Sequence, residues 1–137
     1  MQIEISYAEL LWLLQHKKGV NTDAINVCGV ESNTLHVNYK ISSLLPKTIA
    51  IEIQLCSFEN NVLQFFYNCS IATSLVVKGV VSSLQSKIPH GVKVDTTNHR
   101  IIVDLLVLDV SKGIFQNLHL CNLTFQSNSL QVELKFV

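Results

Sequence analysis

His90, Asp95, His99 and Asp104 are the residues whose types and closeness in this chain could do chemistry. A carboxylate beside an imidazole orients the ring and stabilises its cation, which makes a general base. Two carboxylates and two imidazoles can also serve as metal ligands. Asp95 and Asp104 flank His99, and a hairpin would bring the three together. Their spacing matches no metal-ligand rule, however, and Thr96–Arg100 has the polarity of an ordinary solvated turn. The polar site and the plain turn both stay open, with no metal and no cofactor expected. Asp104 poses a second question, because it stands among Ile102, Val103, Leu105 and Leu106. A carboxylate buried there without a partner would be costly.

Other chemistry has less material. The chain contains no G-x-S-x-G elbow, no phosphate-binding G-x-x-x-x-G-K-[ST] loop, no H-E-x-x-H and no G-x-G-x-x-G. Ten basic and ten acidic side chains cancel, and the only clustered cations are Lys17 and Lys18. Nucleic-acid binding needs a basic patch that displaces counterions, so it is not expected. The four cysteines form no C-x-x-C pair and read as reduced, small apolar residues. No signal-peptide pattern opens the sequence, and Leu10–Leu14 is far too short to cross a bilayer. The expectation is a cytoplasmic protein without an integral membrane segment.

The elements that would position these residues are clearer. Ser6 and Glu9 form an S-x-x-E capping box, with Ile5 and Leu10 placed as a hydrophobic staple. Tyr7, Leu10, Leu11 and Leu14 then recur at helical spacing, and Gly19 supplies the stop. Trp12 and Leu13 lie off this stripe, which predicts a helix covered on more than one side. Four strands in a meander follow: Ile25–Val30, Leu35–Ile41, Ile49–Cys56 and Leu63–Tyr67, with a loop at Ser42–Lys47 containing Pro46. A second helix is expected over Ala72–Ile88, ended by Pro89. Strands at Val92–Asp95, Ile101–Leu108, Phe115–Phe125 and Leu130–Phe136 complete the pattern.

Helix then four strands, twice, is an internal repeat. At an offset of 67, Phe58, Asn61, Leu63 and Gln64 fall on Phe125, Asn128, Leu130 and Gln131. The predicted fold is α+β: one domain over 1–137, built as pseudo-symmetric halves 1–68 and 69–137. About eight antiparallel strands form its sheet, which carries two helices.

The copies differ where Leu35–Ile41 meets Ile101–Val107. The first strand keeps His36, Asn38 and Lys40 on its wet face, whereas the second places Ile102, Asp104, Leu106 and Leu108 there. A strand that is apolar on both sides requires cover on both sides. Phe66 adds to the same region. With charged residues at only 15% of the chain, little polar surface is available to supply that cover.

Three functions follow, in order. The first is a non-catalytic structural or interaction domain, a homodimer or partner-binding protein using Phe66, Ile102, Asp104, Leu106 and Leu108. The second is a carrier of an apolar ligand such as a lipid, held between helices and curved sheet. Helix-on-curved-sheet architectures include lipid-binding proteins of the TULIP type, an analogy of architecture that no motif here carries. The third is an enzyme using the His99 and Asp104 region.

Overall fold

The computed structural model describes residues 1–18, 25–31, 33–40, 48–108 and 117–136. The expectations attached to Gly19, the Ser42–Lys47 loop and Phe115 fall outside these residues. Strand β1 (Gln2–Ser6) runs directly into helix α1 (Tyr7–Lys18). The capping box forms as predicted. Glu9 N–H donates to Ser6 Oγ at 3.1 Å, and Ser6 N–H donates back to Glu9 Oε1 at 3.3 Å. Tyr7 is buried, and its hydroxyl donates to the Gln126 carbonyl at 2.6 Å. Trp12 and Leu13, by contrast, are not covered. They are 56% and 43% exposed, and Trp12 stacks on His16 one turn later at 4.1 Å.

The meander β2 (Ile25–Val30), β3 (Thr34–Lys40), β4 (Thr48–Ser57) and β5 (Val62–Asn68) is present, each strand antiparallel to the next. Helix α2 (Ile71–Ser83) starts at Ser70, whose hydroxyl accepts from Thr73 N–H. It ends earlier than Ile88. The Ser83 hydroxyl donates to the Val80 carbonyl at 2.9 Å, competing with the helix's own ladder, and only a single 3-10 turn follows at Gln85–Lys87. The remaining strands are β6 (Val92–Asp95), β7 (Arg100–Asp104), β8 (Leu118–Phe125) and β9 (Ser129–Phe136).

These strands make two sheets where a single sheet was expected. One has the order β2-β3-β4-β5-β7-β6, the other β1-β9-β8. The fold is α+β with two helices and nine antiparallel strands among the described residues. The first meander stays in one sheet, but the second set of strands divides. The β6–β7 hairpin joins the large sheet, and the β8–β9 hairpin takes β1 as its third strand. The predicted equivalence of halves therefore does not extend to the strand order.

The core lies between the sheets. Leu63 from β5 packs with Leu120, Leu123, Phe125 and Leu134 of the small sheet, and Leu35, Leu55, Phe65 and Val103 complete the contact. A bulge at Cys121 makes this possible, because the register slips by one residue between Leu120 and Asn122. Without the slip, Leu123 and Phe125 would face away from Leu118 and Leu120.

Two asparagines hold the sheets together at the edge of β8. Asn61 accepts from Leu120 N–H at 2.8 Å and donates to the Leu118 carbonyl at 3.0 Å. Asn33 accepts from Phe125 N–H at 2.7 Å and donates to the Leu123 carbonyl at 2.9 Å. Both lie in left-handed backbone, at φ 60° and 53°, in the β4–β5 and β2–β3 turns. Their amides do for β8 what a neighbouring strand would do.

Candidate functional site

The strand predicted through Leu108 stops at Asp104, which resolves the question of its carboxylate. Asp104 Oδ1 accepts from Leu106 N–H at 3.0 Å, and the Asp104 carbonyl accepts from Leu108 N–H at 3.0 Å and Val107 N–H at 3.2 Å. An Asp that bonds the backbone two residues ahead starts a turn, and the apolar run after it cannot continue the ladder. Leu106 and Leu108 therefore leave the sheet. Leu106 is 47% exposed, while Leu108 is half-buried.

Four of the predicted residues meet in one cleft of about 930 Å³ at the open side of β6: His90, Asp95, Ile102 and Asp104. Val62, Ile88, Pro89 and Val107 form its apolar wall, with Lys93 and Gln85 as further polar groups. Neither Lys93 nor Gln85 was singled out from the sequence, because an isolated Lys or Gln carries no spacing signal.

Both oxygens of Asp95 and one oxygen of Asp104 are engaged by their own turns. Asp95 accepts from Asn98 Nδ2 at 2.8 Å and from the backbone N–H groups of Thr97 and Asn98 at 3.0 and 3.1 Å. Above all the Asn98 side chain, and then the Asn98 and Thr97 amides with Arg100, holds this carboxyl below the usual Asp range. No group of three or more His, Cys, Asp or Glu side chains among the described residues could hold a metal ion. The cleft offers a mixed surface for binding.

His99 lies elsewhere. It takes a left-handed φ of 54° at the end of the β6–β7 turn, and its ring stacks on Tyr67 at 4.6 Å, nearly parallel. Its Nε2 lies 3.1 Å from Ser74 Oγ on α2, and Phe66 is a further ring neighbour at 6.5 Å. The buried Tyr67 phenol is pushed up by desolvation, with Cys69 and Asp95 adding to the shift. Ser74 was not anticipated, since a serine inside a helix looks unremarkable. A serine and an imidazole in contact form the first two parts of a nucleophile relay. Among the described residues no carboxylate bonds the other ring nitrogen, and Asp104 belongs to the cleft. In this geometry His99 fastens α2 to the β6–β7 hairpin.

Phe66 projects from the polar face of the large sheet, 42% exposed, between Gln54 on β4 and Arg100 on β7. On the same face, His36 Nε2 meets Glu52 Oε1 at 3.1 Å across β3 and β4. Phe66 and Ile102 thus share a sheet face with Gln64 and Arg100 beside them, while Leu106 and Leu108 lie off the sheet. No helix of the described residues is long and apolar enough to cross a membrane. Compared with protein-family models, curated proteins and solved structures, the chain matches none.

Proposed function

We propose that this chain is a non-catalytic interaction domain that associates with a second copy of itself. One observation carries the reading: large apolar side chains stay open to solvent on several elements. Ile71 and Leu75 on α2 are 85% and 69% exposed, Phe136 on β9 is 71%, and Met1 is 58%. An ordinary protein interface covers roughly 800 Å² on each partner and is built around large apolar side chains of this kind. Zero net charge removes the long-range repulsion between copies.

The apolar-ligand carrier has less support, since Lys93, Asp95, Asp104 and His90 stand in the wall of the cleft. All four cysteines are free thiols, which fits the expected reducing, cytoplasmic setting. Sedimentation velocity on the purified chain tests self-association. A dimer at micromolar concentration is expected, and a monomer at every concentration examined would end the reading.

A further inference from the structure

The described strands leave four sheet edges, and three of them are closed or shortened. The Asn33 and Asn61 amides occupy β8. The β2 edge is tied at Gly29, whose N–H donates to the Ser127 carbonyl at 3.2 Å. The β6 edge is four residues long, and Val92 N–H is taken by the Pro89 carbonyl at 3.1 Å. Edges of this kind are ordinary protection against unwanted strand pairing.

The remaining edge is β1, and among the described residues no backbone or side-chain group closes it. Met1 and Leu134 exchange both backbone hydrogen bonds, at 2.8 and 2.7 Å. In an antiparallel ladder such pairs alternate, so Ile3 bonds Val132 and Ile5 bonds Leu130. The N–H and C=O groups of Gln2 and Glu4 must therefore point away from β9. Gln2, Ile3 and Glu4 are all exposed. Ile3, Met1 and Phe136 stand on the core side of the small sheet, at 39%, 58% and 71% exposure.

We infer that two copies join edge to edge through β1, extending the small sheet to six strands across a two-fold axis. This rests on the self-association proposed above and names its surface. The outward groups fix the register. Gln2 pairs with Glu4 of the second copy, so that the two strands exchange four backbone hydrogen bonds. Ile3 then faces its own symmetry mate in a non-hydrogen-bonded pair, where Cα atoms approach to about 4.5 Å. The alternative registers set Glu4 against Glu4 or Gln2 against Gln2. The first opposes like charges, and each makes fewer bonds. In the favoured register the Gln2 amide can donate to the Glu4 carboxylate across the seam, while Ile3 and Met1 continue the apolar face.

Sedimentation and cross-linking test this together. Ile3→Cys should form an intermolecular disulfide on mild oxidation, well above the wild-type background from Cys28, Cys56 and Cys121, because the facing Cα atoms fall within the roughly 4.4–6.8 Å that a disulfide spans. Gln2→Cys alone should stay near background. Gln2→Pro removes an outward N–H without touching a bond to β9, and should yield a folded monomer by far-UV circular dichroism and sedimentation. A wild-type dimer with no Ile3→Cys cross-link would overturn the β1 seam while leaving self-association standing. Stronger cross-linking by Gln2→Cys than by Ile3→Cys would overturn the register. A monomeric wild type would overturn both proposals, leaving β1 to another partner.

Discussion

At the scale of single residues, Asn61 does the most with the least side chain. It is 3% exposed, and its amide satisfies a donor and an acceptor of β8 together. Asn61→Gly keeps the left-handed backbone at no strain and removes only the amide. It should lower stability by about 2–3 kcal/mol, because Leu120 N–H and the Leu118 carbonyl lose their partner in a dry place. Urea denaturation would measure it, and an unchanged midpoint would mean that water replaces the amide. Asp95 allows a pH prediction. Its carboxyl is easier to ionise folded than unfolded, so its contribution is complete above the unfolded value near 3.9 and fades as pH falls through the lower folded value. Asp95→Asn should flatten the acid limb of stability measured between about pH 2 and 6; parallel limbs for both proteins would rule the role out.

At the scale of elements, Gly29 decides how the small sheet docks. A Cβ there would overlap the backbone carbonyl of Gln126, at the turn that also receives the Tyr7 hydroxyl. Backbone cannot swing aside as a side chain can, so Gly29→Ala should cost about 3 kcal/mol. Ser6→Ala, which opens one capping box, should cost only about 1 kcal/mol. Comparing the two urea midpoints checks the order, and a larger loss from Ser6→Ala would contradict it. The difference also marks what the sequence could reveal. Local rules were legible: the Ser6–Glu9 box, the β2–β5 meander and the Val92–Asp95 strand follow from neighbours in the chain. The docking was not, because Gly29 meets Gln126 and Asn33 meets Leu123 only in the folded chain. The run after Asp104 misled for a related reason. Leu105–Leu108 has the composition of a strand, and one carboxylate turning back on the backbone overrides composition. Likewise the cleft gathered His90, Asp95, Ile102 and Asp104, whereas the partner of His99 was a helical serine with no pattern to announce it.

At the scale of the whole molecule, the proposed dimer rests on backbone pairing and apolar contact rather than on opposed charge. Its dissociation constant should therefore change little as salt rises from about 0.1 to 1 M, where the screening length falls from roughly 10 to 3 Å. Steep weakening with salt would point to a charged interface instead. The pairing of β1 with β9 has another consequence, and it concerns time. β1 hydrogen-bonds to β9, which is translated after every other described strand, and the Asn33 and Asn61 amides also wait for β8. While the ribosome works, the large sheet can assemble from β2 to β7, yet its apolar face has no lid. Closure of so many distant contacts is slow. Until β9 emerges, β1 has two free edges and the nascent chain depends on whatever shields it.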